Sequence, residues 1–199
     1  MAKMSRTDDI ERFHRWSHTY ERSWLQRFVF DRVHQAVLRV VAKEVAEPTS
    51  ILDVGCGTGR LLRAAKARWP NAQLIGVDPA EGMIEVARHL APGITFHVGS
   101  AEALPLPDAS VEVVLSTVSF HHWGDQAAGI REVARVLRPG GRFFLVDVAL
   151  PPWFSRLVHH ARLRTTAQVC TLFTEAGLQV FIQQPVLSRF VLVTVGTRP

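Results

Sequence analysis

From Pro48 onward, short apolar runs alternate with longer stretches in which apolar residues recur every three or four positions. The runs at 51–54, 73–77, 95–98, 111–115 and 142–148 are rich in Val, Ile, Leu and Phe and have strand length. Between them, 60–68, 81–90 and 126–137 carry helical periodicity. Short strands alternating with such helices predict an α/β protein, a parallel, doubly wound sheet with helices on both faces. Upstream, residues 8–47 contain no Gly or Pro, and Trp24, Leu25, Phe28, Val29, Val33, Val37, Leu38, Val40 and Val41 repeat at three- and four-residue steps. That spacing predicts one or two amphipathic helices ending at Pro48. They pack on the sheet edge or act as a lid over a site. Downstream, Thr166 is expected to cap a helix that ends at Gly177, followed by strands at 178–182 and 186–195 separated by Pro185.

The junction of the first strand and first core helix holds the most chemistry. Asp53-Val54-Gly55-Cys56-Gly57-Thr58-Gly59 places three glycines at alternate positions before Arg60. Residues without a Cβ let the backbone turn sharply and lie flat against a ligand, with a helix N-terminus beside it. A dinucleotide fingerprint needs a further Gly three residues after Gly57, and Arg60 stands there. Asp53 at the mouth of the loop would repel a diphosphate and attract an ammonium group. Asp78 ends the second apolar run, 19 positions after Gly59, where an acid can accept both hydroxyls of a ribose. The two acids together predict a nucleoside that carries an amino acid.

These residues, with Val77-Asp78-Pro79, the stretch Ser100-Ala101-Glu102-Ala103-Leu104-Pro105 and Arg135-Val136-Leu137-Arg138-Pro139-Gly140-Gly141, resemble the class I S-adenosylmethionine-dependent methyltransferases. The branch they look most like is that of the ubiquinone and menaquinone biosynthesis C-methyltransferases. The resemblance covers roughly residues 50–147. It implies a Rossmann-like seven-stranded sheet, mostly parallel, closed by a C-terminal antiparallel hairpin. It implies S-adenosyl-L-methionine as cofactor, contacted by Asp53, Gly55, Cys56, Gly57, Gly59, Asp78, Pro79, Met83, Ser100, Ala101, Glu102 and Ser116. At Ser100 the family commonly has Asp, which accepts from the adenine amino group; a serine hydroxyl still accepts, by a neutral and weaker bond.

After the fourth strand comes Ser116-Thr117-Val118-Ser119-Phe120-His121-His122-Trp123. The tetrad with paired prolines that marks methylation of base amines is absent, and two histidines stand where the methyl group would arrive. Methyl transfer from a sulfonium can proceed largely by alignment; a phenol or acidic carbon gains from a base, for which His121 and His122 are the candidates. Trp123 and Asp147 are candidate substrate contacts, with Asp147 read otherwise as a loop cap; the region before the glycine turn often closes over cofactor and substrate in the resembled family, which implies Tyr20 and Trp24 as further candidates. Asp125 is expected to cap the next helix, and Glu132 to pair with Arg135.

Composition narrows the rest. The chain has 199 residues, 47% hydrophobic and 21% charged, which suits one globular domain, with 1–47 as a helical lid and 48–199 as the cofactor-binding core. No run approaches the apolar length of a membrane span and the N-terminus carries no signal-type stretch, so a cytoplasmic protein is expected. Cys56 and Cys170 lack disulfide or metal spacing and read as small buried residues; no metal is expected. The net charge of +5 comes almost wholly from arginine. Residues 151–164 mix aromatics with three arginines and could touch a membrane surface weakly; His159 and His160 within them read as surface residues. The expected acceptor is a small molecule methylated on O, N or C, quinone-like or a lipid precursor. An RNA methyltransferase and a cofactor-binding protein without transfer activity are the alternatives, nucleic acid being the less favoured partner. Oligomeric state is left open.

Overall fold

The computed structural model describes residues 24–148, 163–188 and 190–199. Tyr20, the helical pattern before Trp24, and the 151–162 part of the basic segment with His159 and His160 lie outside the described residues. The chain begins with helix α1 (Trp24–Glu44) and continues as β1 (Ser50–Val54), α2 (Arg60–Arg68), β2 (Gln73–Asp78), α3 (Glu81–Leu90) and β3 (Thr95–Val98). It goes on through β4 (Val111–Thr117), a 3₁₀ turn at Phe120–His122, α4 (Gln126–Val136) and β5 (Leu137–Val148). It closes with α5 (Thr166–Glu175), β6 (Gln179–Ser188) and β7 (Val191–Thr197).

All seven strands form one sheet in the order β3-β2-β1-β4-β5-β7-β6. The first five are parallel, and β7 enters antiparallel between β5 and β6. This is the mixed seven-stranded arrangement that the resemblance implies. The order reverses between β1 and β4, so the chain leaves their carboxyl ends in opposite directions and opens a crevice there.

Strand alternation explains the layers. Ile51, Val113, Leu115, Phe144 and Val146 face one side, where α1 contributes Val33, Val37, Leu38 and Val41 and α2 contributes Leu61, Leu62 and Ala65. Leu52, Val54, Val114, Phe143 and Leu145 face the other, under Ile130 and Val133 of α4 and Phe173 of α5. Both faces of the central strands are buried, which is why they read as near-continuous apolar runs. Each such side chain removed from water contributes about 1.5–3 kcal/mol.

Two boundaries and one burial stand out as different from expectation. Thr165, one residue before the predicted cap, closes a capping box on α5: its hydroxyl accepts from the Gln168 N–H while the Gln168 side chain accepts from the Thr165 N–H. Pro185 lies inside β6, paired opposite Leu192, and does not separate the two strands. The strand is at the sheet edge, where a residue without an N–H is tolerated, and the pairing is irregular just beyond it. Cys170 is only half buried, and the Gln183 amide lies 3.4 Å from its sulfur.

Candidate active site

The crevice is a cavity of about 290 Å³ at the carboxyl ends of β1, β2 and β4. The turn after β1 forms its floor. Gly55, Gly57 and Gly59 all have left-handed backbone, with φ of 79°, 52° and 74°. A Cβ on Gly55 would stand 2.4 Å from the Ser119 hydroxyl, so this position admits nothing larger. Around Gly57 the corresponding space is empty to 4 Å, leaving bare backbone facing the cavity. The β1–α2 turn is thus tight on its protein side and flat on its open side.

Two acids stand at the ends of this turn. Asp78 accepts from the Gly57 N–H and the Ala80 N–H, both at 2.9 Å, one on each carboxylate oxygen. Those bonds fix the carboxylate while leaving a lone pair on each oxygen. Burial nevertheless raises its pKa above the ordinary carboxylate range. Asp53, 3% exposed, is pushed up to about 8, first by burial and then by the charge of Asp78. The Cys56 thiol between them is driven well above its usual range by the same burial and charges, which leaves it inert as a nucleophile. Two buried carboxylates with no ion-pair partner among the described residues call for a cationic guest, and the bare Gly57 backbone calls for a flat one. S-adenosylmethionine meets both needs through its ammonium group and its nucleoside, so the residues present fit that cofactor.

Pro79, Met83, Ser100, Ala101, Glu102 and Trp123 also line the cavity. Glu102 accepts from the Asp125 N–H at 2.9 Å. Ser116 does not line it: fully buried, its hydroxyl lies 2.8 Å from that of Ser119, which donates to the Val54 carbonyl at 3.0 Å. This chain of contacts ties the end of β4 to the glycine turn. Trp123 packs edge-on against Phe120 with ring centroids 5.1 Å apart. Trp24 begins α1.

The histidine pair sits on the 3₁₀ turn after β4, at the cavity rim. The backbone reaches it through Val118, whose φ of 53° is unusual for a β-branched residue and marks local strain. His121 Nδ1 lies 2.9 and 3.0 Å from the two oxygens of Asp147, which also accepts from the His121 and Val148 N–H groups at 3.0 and 2.7 Å. Asp147 therefore orients an imidazole. It also lines a smaller recess of about 30 Å³ behind His121, with Leu145, Val169, Leu192 and Arg164. A carboxylate on Nδ1 holds the proton there and leaves Nε2 as an acceptor. His122 lines the cavity with its ring 4.1 Å from that of His121.

Phe30 and His34 of α1 line the cavity too. The sequence reading passed over them; the available signal was a histidine set four residues after Phe30 and four before Leu38, inside the apolar stripe. The predicted supports of α4 are as expected: Asp125 accepts from the Ala128 N–H at 3.0 Å, and Glu132 binds Arg135 at 2.7 Å while also accepting from the Leu104 N–H.

Residues 52–145 match the family model for the methyltransferase domain. An uncharacterized methyltransferase of Bacillus subtilis is 37% identical over 150 residues, 71% of this chain and 58% of that protein. The ubiquinone/menaquinone biosynthesis C-methyltransferase of Geobacter sulfurreducens is 30% identical over 151 residues, 71% of this chain and 59% of that protein. The matched part thus spans less than two thirds of either relative's length. Among solved structures, an S-adenosylmethionine-dependent methyltransferase of Thermotoga maritima superposes with a TM-score of 0.73 at 26% identity, over 94% of this chain and 98% of the other.

Proposed function

We propose, from the premise that this chain belongs to the class I S-adenosylmethionine-dependent methyltransferases, that it methylates a small acceptor whose departing proton is taken by His121. When bound, S-adenosylmethionine supplies a methyl group on a sulfonium, an activated donor that leaves as a neutral thioether. Asp53 would face the ammonium group, Asp78 the ribose hydroxyls, and Ser100 with Ala101 the adenine. His121 would remove a proton from an oxygen or acidic carbon of the acceptor through Nε2 as the new bond to the methyl carbon forms. Asp147 keeps the ring turned and stabilises the imidazolium that results.

The observation that carries this reading is the His121–Asp147 pair at the cavity rim. A histidine needed only for packing does not require a carboxylate at 2.9 Å on one nitrogen of a ring that lines the cavity. The acceptor class we favour is aromatic or lipid-like, quinone-like precursors among them. The role of the Geobacter relative in ubiquinone and menaquinone biosynthesis supports that class.

The test incubates the protein with S-adenosylmethionine and a panel of phenols and enolisable aromatic diols, and measures S-adenosylhomocysteine by mass spectrometry. His121→Asn is expected to slow turnover about a hundredfold or more, and Asp147→Asn at least about tenfold, both with unchanged affinity for S-adenosylhomocysteine. Equal rates for wild type and both variants would refute the base and leave alignment as the whole of catalysis.

A further inference from the structure

Between β3 and β4 the chain runs outside the seven strands, and Gly99, Ser100, Ala101 and Glu102 at its start line the cavity. This segment folds back on itself. The Ala103 N–H donates to the Ser100 carbonyl at 3.2 Å, and a Cβ on Gly99 would stand 3.2 Å from the Pro105 ring. It then lies along α4 and is gripped at successive turns of that helix. Glu102 accepts from the Asp125 N–H at the helix cap, and a Cβ on Gly129 would come within 3.3 Å of the Ala101 methyl. One turn further on, Glu132 accepts from the Leu104 N–H at 2.9 Å. Arg135 completes the series with all five N–H groups of its guanidinium. Nε and Nη2 donate to the two oxygens of Glu132 at 2.7 and 2.8 Å, and Nη2 also donates to the Leu104 carbonyl at 3.0 Å. Nη1 donates to the Leu106 carbonyl at 2.8 Å and to Asp108 at 2.7 Å. Leu104 is thus held at both its N–H and its carbonyl. The Arg135 side chain is 31% exposed, so water could serve these carbonyls; what a planar fork adds is fixed position.

We infer that Arg135 is a positioning residue for the base of the cofactor: it sets where residues 100–104 lie on α4 and thereby which purine the cavity selects. The inference rests on the reading that Ser100 and Ala101 face the adenine. N1 of adenine accepts a hydrogen bond, whereas N1 of hypoxanthine carries a proton, so a backbone N–H at Ala101 discriminates between the two bases. That discrimination is geometric, because a hydrogen bond weakens steeply as it lengthens and bends. A backbone group has no side-chain torsion with which to follow a displaced base. Lysine at position 135 would keep the positive charge, but an ammonium on a flexible stem cannot hold two carbonyls and two carboxylates in one plane.

Calorimetric titration of the full chain with S-adenosylhomocysteine and with S-inosylhomocysteine, which differs only in carrying hypoxanthine, tests this. Wild type is expected to prefer the adenine ligand about tenfold or more. Arg135→Lys is expected to weaken S-adenosylhomocysteine about tenfold and the hypoxanthine ligand less than about twofold, bringing the ratio close to one. Arg138→Lys is the control, since Arg138 binds Thr49 and Glu112 at the amino ends of the strands, away from the cavity. It should keep the wild-type ratio; a ratio narrowed there too would overturn the inference by showing a general loss of stability. Should Arg135→Lys give too little folded protein, Glu132→Gln carries the same test, because its amide still accepts from the Leu104 N–H while the ionic hold on Arg135 is lost. A narrowed ratio then supports the inference and an unchanged one overturns it. An unaltered ratio in Arg135→Lys, even with both affinities lowered, would equally overturn it, by showing that Arg135 supports the fold and not the base site. A wild type that binds both ligands alike would remove the adenine assignment to Ser100 and Ala101, and one that binds neither would remove the cofactor reading itself.

Discussion

Asp53 gains its functional meaning from its cost. A carboxyl group held up to about 8 by burial and by Asp78 is mostly protonated at pH 7 in the free protein. An ammonium group placed beside it favours the ionised form, so binding must expel a proton. Affinity for S-adenosylhomocysteine should therefore rise with pH between 6 and 8, approaching tenfold per unit, and level off where the guest's own amino group starts to lose its proton, at about 8. Titrations in buffers of different ionisation heat would register the released proton. Asp53→Asn should bind more weakly with a flattened pH dependence; a wild-type affinity independent of pH would mean that the ammonium lies elsewhere. The acids were legible in the sequence because an apolar run ending in a charge stands out. The partner of His121 was not: Asp147 is 26 residues away, and the two meet only because β4 and β5 pair with Thr117 opposite Val146. Parallel register between strands joined by a helix leaves no local mark, so Asp147 read as a substrate contact or a loop cap.

At the scale of elements, α4 shows how packing around the site is set by one small residue. A Cβ on Gly129 would fall 2.4 Å from the Trp123 ring, which is backed by Phe120. Alanine gains about 1 kcal/mol of helix propensity over glycine, but overpacking a buried ring costs roughly 1–3 kcal/mol. The clash should win. Gly129→Ala is expected to be net destabilised in urea unfolding and to bind S-adenosylhomocysteine more weakly as Trp123 is driven toward the cavity. In a Trp123→Leu background the same change should be neutral or stabilising, because the smaller side chain leaves the helix gain unopposed; an equal loss in both backgrounds would show that the cost does not come from the ring. Helix ends with a side-chain cap or a charged pair one turn along, such as Asp125 and Glu132–Arg135, could be read from spacing. The β6–β7 turn could not. Pro185 is a strong breaker anywhere except on an edge strand, and edge position is a property of the sheet, not of the local residues.

Across the whole molecule, the buried titratable groups at the cavity set how stability responds to pH, and their signs oppose. His34 falls from 6.5 to about 4 on folding, so between those values the unfolded chain binds the extra proton and stability rises with pH. Asp53 rises from 3.8 to about 8, so between those values the folded chain holds the extra proton and stability falls with pH. From about 4 to 6.5 the two cancel, one proton against one. Asp78, also raised by burial, adds to the falling side. From 6.5 to 8 His34 no longer opposes Asp53, whose one proton over 1.5 units is worth about 2 kcal/mol. The ligand-free protein is thus expected to lose stability as pH rises from 6.5 to 8, measured by urea unfolding at fixed temperature and ionic strength. His34→Leu should remove the compensation and extend the fall down toward pH 4, whereas Asp53→Asn should abolish the loss above 6.5. Saturating S-adenosylhomocysteine should reverse the trend, since its ammonium favours the ionised carboxylate and its binding strengthens with pH over the same range. A fall of equal steepness with and without the ligand would show that the proton lost above pH 6.5 belongs to a group outside the cofactor cavity.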